Sequence, residues 1–306
     1  MHFAIITAIL WSFAGFGSSR LARLFGAAQA NFLRLFCSTI LLALLAWGLG
    51  IFVLPAGAWL FALSGFLHLA VGDVGLFAVY RRLGPRIGVL AVSCLAPPIA
   101  LVVEWAVLGT VVLWWQLTLA AGVLVCVAFA VAPRERMHLT PFELRRGILA
   151  GAIATLGQGS SAAVSRMGYA EVSAAGQQVG PFMPTLLRCA SGCAGVFLWL
   201  LWRKTRGQAF RQTYTDMLPH RRIGGHPMAW LAVSTLLGPV IGVLFLMKAL
   251  ETTPSVLVQA GLSTLPIFMI PVAWFFDGNA PSRRSLACGV LAIALVILTI
   301  LGGRIF

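Results

Sequence analysis

The residues of this chain that could do chemistry are a few ionisable side chains inside long apolar stretches. Asp73 follows His68 by five residues within one stretch, and Glu104 lies near the end of the next. Burying a charged side chain in lipid costs about 3 kcal/mol on insertion scales, so such an acid pairs with a cation, binds substrate or carries protons. We expect one of these roles for Asp73. His68 alone is more typical of a hydrogen-bonded packing residue.

Two arginines within apolar stretches could pair with these acids or with a ligand. Arg34 and Arg188 each lie early in an apolar stretch and occupy equivalent places in the two halves of the chain. Each could extend to the nearer membrane interface, or one could hold a substrate carboxylate or phosphate. We favour a structural role for both, with Arg34 as a candidate partner of Asp73. Glu104 is expected to cap a helix end or act as a gate.

Amide and hydroxyl side chains at similar depth complete the set of candidate binding residues. Gln158 and Gln259 can both donate and accept hydrogen bonds, which suits a neutral or zwitterionic ligand. Hydrogen bonding between helices explains each of them equally well when it is taken singly. The other candidates in this set are Trp11, Ser12, Ser93 and Ser263.

Prolines interrupt two of the apolar stretches at equivalent places. Pro97 and Pro266 are 169 residues apart, as are Pro85 and Pro254. A proline inside a helix removes a backbone donor, and the carbonyl released one turn earlier needs another partner or a wet cavity. Duplicated breaks of this kind are typical of transporter binding sites. We therefore place Pro97 and Pro266 at the predicted site, although helix bending for packing would also explain them.

The elements that position these residues are membrane-spanning helices. Hydrophobic residues make up 60% of the 306-residue chain and charged residues 10%, which is unlike a soluble domain. A lipid-spanning helix needs roughly 20 mainly apolar residues. Ten such runs are present: 2–19, 29–49, 57–79, 86–108, 113–132, 147–166, 180–202, 228–249, 254–276 and 285–303.

The 169-residue offset indicates an internal repeat, and the loop charges indicate that it is inverted. Alternate loops contain 17 Lys and Arg residues, whereas the opposite loops and the termini contain 3. Positive residues mark the cytoplasmic side, which places both termini outside. Because each half has an odd number of spans, five, the second half must cross the membrane in the opposite sense. We predict a first repeat at 1–133, a connecting loop at 134–146 and a second repeat at 147–306.

Several classes of function are disfavoured. The formal charge of +14 lies in short clusters between spans, with no basic domain long enough to form a nucleic-acid groove. All six cysteines fall inside predicted spans and lack the histidine partners of a zinc site. The sequence has no nucleophile motif, phosphate-binding loop or acidic pair. We expect no enzymatic activity, no cofactor and no metal site.

The pattern resembles the drug/metabolite transporter (DMT) superfamily, specifically its ten-helix EamA-type members. The residues that carry the resemblance are Leu10-Trp11-Ser12, Arg34, Leu95-Ala96-Pro97 with Glu104, Gly122, and in the second half Arg188, Leu265-Pro266 and Gly289. The resemblance covers nearly the whole chain and implies transport without fixing the cargo. Two departures stand out. Ala273 occupies the second-half equivalent of Glu104, and family members commonly have cytoplasmic termini.

These observations together predict an all-α integral membrane protein with ten transmembrane helices in two inverted five-helix repeats. We expect a secondary transporter of small polar or amphipathic metabolites, with amino-acid-like solutes favoured, in the cytoplasmic membrane of a bacterium. Its partners would be a small-molecule substrate, membrane lipids and, as the hypothesis for coupling, protons. Efflux of hydrophobic cations is the alternative within transport, and a lipid flippase or scramblase is the alternative outside it. A monomer and a homodimer are both compatible with the sequence.

Overall fold

The computed structural model describes residues 1–83, 85–131, 141–206, 226–277 and 283–305, and every regular element in them is helical. Thirteen α-helices and two π-helical segments account for the described chain. In order they are α1 (His2–Phe25), α2 (Ala27–Gly48), α3 (Ala58–Gly65), the first π segment (Phe66–Gly72), α4 (Asp73–Leu83), α5 (Pro85–Leu108), α6 (Trp114–Val131), α7 (Pro141–Ala174), α8 (Phe182–Thr205), α9 (Pro227–Thr235), the second π segment (Leu236–Val240), α10 (Ile241–Thr252), α11 (Ser255–Leu262), α12 (Leu265–Asp277) and α13 (Arg283–Ile305).

Seven helical stretches of the described chain are long and apolar enough to cross a membrane. They coincide with seven of the apolar runs in the sequence, and they include the composite stretches Ala58–Val79 and Pro227–Thr252, each of which contains a π segment. Three shorter apolar helices lie at the remaining runs: Val92–Leu108, Trp114–Phe129 and Leu286–Leu298. The chain is therefore an all-helical protein built for a lipid environment.

Helix boundaries recur along the chain at the spacing seen in the sequence. α3 begins at Ala58 and α9 at Pro227, and α6 begins at Trp114 and α13 at Arg283, so each pair is 169 residues apart. The π segments fall at matching places within the two composite helices. π-helical segments are rare and often occur at functional sites. The first one ends directly before Asp73, and the second one begins directly after Thr235.

The proline breaks are unequal in the structure. α5 runs without interruption from Pro85 to Leu108 with Pro97 and Pro98 inside it, so the break predicted there does not occur. The second-half helix does end at Leu262 and restarts at Leu265, which places Pro266 in the first turn of α12. Proline is tolerated in a first turn because the N–H it lacks has no intrahelical partner there.

The first helix of each sequence half packs against the helices of the other half. α1 contacts α9, α10 and α12, whereas α7 contacts α3, α4 and α5. α2 pairs with α8 and α6 with α13. The largest buried apolar cluster of the described residues lies where α1, α3, α7, α10 and α11 meet, and it includes Phe61, Met247 and Leu250. Because each first helix packs against the other half, helices from both halves surround the centre of the bundle.

Candidate functional site

A cavity of about 70 Å³ lies in the middle of the helix bundle. This volume holds a few water molecules. The structure brings seven of the predicted binding residues to its wall: Trp11, His68, Asp73, Ser93, Gln158, Gln259 and Ser263. Arg34, expected to be structural, also lines it. Residues from α1, α2, α4, α5, α7, α10, α11 and both π segments therefore converge on one polar site.

Asp73 and Arg34 form a hydrogen-bonded ion pair in the cavity wall. Their positions on α4 and α2 leave only 6% and 7% of each residue exposed. The Arg34 guanidinium also donates to Asn31 Oδ1 at 3.0 Å, and Asn31 Nδ2 donates to the Leu69 carbonyl at 2.6 Å. The pairing that the sequence suggested for Asp73 is thus present, and the carboxylate is already engaged by a cation.

His68 links this pair to the second buried arginine. Arg188 is fully buried, and its Nη2 lies 3.0 Å from His68 Nδ1. The opposite ring nitrogen, His68 Nε2, lies 4.0 Å from Asp73 Oδ1. Arg188 Nη1 donates to the hydroxyls of Ser64 and Ser165, both at 2.6 Å. The two arginines that occupy equivalent sequence positions are therefore joined through His68 and Asp73.

Trp11 covers the side of the cavity formed by the second π segment. Its Nε1 donates to the Gly238 carbonyl at 3.3 Å, and its ring centroid is 5.5 Å from that of His68. A side chain at Gly242 would collide with the indole ring, so glycine is required for this approach. Pro239, which the sequence reasoning overlooked, also lines the cavity.

Two glutamine side chains, Gln158 and Gln259, form another part of the cavity wall. Gln158 Nε2 donates to Gln259 Oε1 at 3.2 Å, and Gln259 Nε2 donates to the Gln158 carbonyl at 3.2 Å. Ser263 Oγ lies 2.6 Å from the Ser93 carbonyl and 2.8 Å from that of Gln259. These amides join α7 to α11, and both side chains line the cavity.

The remaining candidates lie away from the cavity wall. Ser12 is fully buried and donates to the Ile9 carbonyl within its own helix at 2.6 Å. Pro97 and Pro266 do not contribute to the lining. Among the described residues, no cluster of three or more His, Cys, Asp or Glu side chains could hold a metal ion. The six cysteines are free thiols.

Side-chain contacts also join the helices around the cavity toward each face of the bundle. Toward the arginine-rich face, Ser18 and Ser234 are hydrogen-bonded at 2.6 Å, and Phe16, Trp230 and Phe276 form an aromatic group. The Arg20 guanidinium lies over the rings of Phe16 and Trp230. These contacts join α1, α9 and α12 on this side of the bundle.

Toward the opposite face, Glu104 joins α5 to the turn between α10 and α11. Its Oε2 accepts from the Ser255 backbone N–H at 2.5 Å, and its Oε1 accepts from Arg166 Nε at 3.4 Å. Arg166 Nη1 donates to the carbonyls of Leu250 and Glu251 at 3.0 and 3.2 Å. Glu104 therefore caps a helix start, as the sequence suggested, and with Arg166 it fixes this end of the bundle.

Replacing Glu104 by alanine is expected to lower the free energy of unfolding by about 1–3 kcal/mol, because it leaves the buried Ser255 backbone N–H without an acceptor and removes one of the acceptors of Arg166. Unfolding in mixed detergent micelles, followed by tryptophan fluorescence, measures the change. Glu251→Ala is the matched control. It removes a partly exposed pair with Lys248 at 2.9 Å, and such surface pairs are worth less than about 1 kcal/mol. Equal losses in both variants would contradict the assigned role.

The helical bundle defines a polytopic membrane protein with a cavity among its helices. The family model of the EamA-like transporter family matches residues 145–301, just over half of the chain. The chain therefore belongs to this family, which is part of the DMT superfamily. Membership identifies the protein as a membrane transporter with a small-molecule substrate.

The other comparisons bear on the fold alone. A solved structure described as "Crystal structure of protein" superposes with a TM-score of 0.69 at 16% sequence identity. The alignment covers 99% of this chain and 96% of that one. The likeness therefore extends the shared fold over the whole bundle, beyond the residues that the family model matches. No curated protein matches the sequence.

Proposed function

We propose that the protein is a secondary active transporter that moves small polar or amphipathic metabolites, with amino-acid-like solutes favoured, across the cytoplasmic membrane by alternating access. The observation that carries this proposal is the cavity inside the bundle, which polar side chains line and helices from both halves of the chain surround. A central site between two halves that can rearrange around it is what alternating access requires.

The architecture proposed for this cycle is ten membrane spans in two inverted repeats, 1–133 and 147–306, joined by 134–146. The matching helix starts, the paired π segments and the reciprocal packing of α1 and α7 support this division. The loop charges support outward-facing termini in a bacterial inner membrane. Rocking of the helices about the cavity would expose it to each side in turn.

The cavity chemistry favours metabolites over hydrophobic cations. An efflux pump for cations needs an unpaired acid in its binding site, whereas Asp73 is already bonded to Arg34. Gln158 and Gln259 supply neutral donors and acceptors at the same cavity.

Purified protein in liposomes, tested with amino acids, quaternary amines and lipid head groups, distinguishes metabolite transport from cation efflux and from lipid flipping. Uptake of none of these would contradict the proposal.

Asp73→Asn is expected to abolish solute accumulation driven by a pH gradient, while counterflow of the same solute without a gradient continues at a reduced rate. Asparagine keeps an oxygen that can accept from Arg34 but cannot exchange a proton at neutral pH. Uptake into liposomes with and without an imposed gradient measures both activities. Glu251→Gln, an acid outside the cavity, is the control. Unchanged gradient-driven accumulation in Asp73→Asn would eliminate proton coupling through this residue.

A further inference from the structure

The charged groups of the cavity do not balance. Arg34 and Arg188 contribute two positive charges, and Asp73 contributes the single carboxylate among the described residues around the site. Every hydrogen bond of the Arg188 side chain goes to a neutral acceptor: the hydroxyls of Ser64 and Ser165 and the ring of His68. A buried guanidinium without a counter-ion is costly in a low-dielectric interior.

His68 does not change this imbalance of one charge, because it is neutral. A guanidinium has only donors, so His68 Nδ1 must accept the bond from Arg188 with its lone pair. The imidazole is therefore neutral and carries its proton on Nε2, the atom that faces Asp73 at 4.0 Å. His68 therefore lies between Asp73 and Arg188 without adding a charge of its own.

No other described side chain that faces Asp73 is ionisable. α2 presents Arg34, and the first π segment presents His68, with Arg188 of α8 behind it. The other helices packed against α4 contribute only non-ionisable groups to the cavity, namely Trp11 and Ser18 from α1, Ser93 from α5 and Gln158 from α7.

Arg34 also has an unused donor. Its Nη2 bonds to Asp73 and Asn31, whereas its Nε is buried and has no hydrogen-bond partner. Nε and Nη2 form one side of the guanidinium fork, which matches the two oxygens of a carboxylate. Arg34 therefore keeps one donor of this fork without a partner, next to the Nη2 that binds Asp73.

We propose that the cavity recognises the carboxylate of a small organic acid, which binds Arg34 through Nε and Nη2 as Asp73 leaves and takes up one proton from water. A proton on Asp73 alone would leave two buried guanidinium groups without an anion. The incoming carboxylate restores the original balance, so each binding event favours the other. This inference rests on the proposed transport function and gives it a substrate class, carboxylate-bearing solutes, with one proton bound per carboxylate.

The test uses the purified full-length protein in detergent with acetate, propionate and L-alanine, each compared with its carboxamide. Tryptophan fluorescence reports binding, since Trp11 lines the cavity, and a pH dye in weak buffer counts protons. We expect at least one carboxylate to bind at least tenfold more tightly than its amide. We also expect uptake of close to one proton per ligand, and an affinity that falls about tenfold per pH unit on the alkaline side.

Asp73→Asn should bind the same carboxylate without proton uptake and without this pH dependence, and Glu251→Gln should behave like the unmodified protein. If Asp73→Asn does not fold, the amide comparison and the proton count on the unmodified protein decide alone. Binding of amides as tight as that of acids, binding without proton uptake, or no binding by any of the three acids would overturn the inference. Liposome transport of a solute without proton uptake would overturn it and leave the transport function standing. Absence of all transport would overturn the proposed function instead.

Discussion

Replacing Arg34 by methionine should lower the free energy of unfolding by about 3–5 kcal/mol, the cost of leaving a buried charge without its partner. Asp73 would then be a carboxylate that is 6% exposed, facing only the neutral His68 and the distant Arg188. Asp73→Leu alone should be destabilising for the converse reason, because it leaves Arg34 unpaired. Unfolding in mixed micelles measures each loss.

The double variant Arg34→Met with Asp73→Leu should be more stable than either single variant. Removing both charges leaves neither one buried and unpaired, and apolar pairs of similar volume often replace a buried ion pair at little cost. The double-mutant cycle thus isolates the interaction between the two side chains. Additive losses in the double variant would show that the pair does not act as a unit.

Gly65→Ala should lower the free energy of unfolding by about 1–3 kcal/mol, the usual cost of overpacking, and should also abolish solute binding. A methyl group at this position would overlap the Arg188 Cα and carbonyl oxygen and lie 2.5 Å from Ser191 Oγ. Two of these atoms are backbone, so α3 and α8 must separate. That displacement carries the Arg188 guanidinium away from Ser64, Ser165 and His68.

Gly48→Ala is the matched control for this substitution. Gly48 also lies in a helix, and a methyl group there meets nothing within 4 Å. Alanine is the better helix former by about 0.8–1 kcal/mol, so this variant should be as stable as the unmodified protein or more so. Fluorescence titration of the solute identified in liposomes gives the binding readout. Similar behaviour of the two alanine variants would refute the tight contact between α3 and α8.

The positions of the helices could be read from the sequence because lipid imposes a simple rule on them. A run of about 20 apolar residues has little alternative to a membrane-spanning helix. The 169-residue spacing between prolines in the sequence recurs between the helix starts Ala58 and Pro227. The π segments could not be read in the same way. Pro239 gives a signal in the second segment, but the first, Phe66–Gly72, contains no proline.

The candidate site was only partly accessible from the sequence. Polar residues within apolar runs stand out by contrast, and seven of those singled out meet in the cavity. The contact between Arg188 and His68 joins residues 120 positions apart, and no local pattern encodes such a pairing. The predicted helix break at Pro97 was wrong. A proline does not always interrupt a membrane helix, because neighbouring groups can satisfy the carbonyl that it releases.

The reciprocal packing of α1 and α7 determines what each half of the chain could do alone. A cut between Val131 and Pro141 would separate α1 from α9, α10 and α12, and α7 from α3, α4 and α5. Each fragment would expose the apolar surfaces that normally cover the other. The two halves are therefore interleaved parts of one folding unit, and complementation from separately expressed fragments requires that both be inserted together.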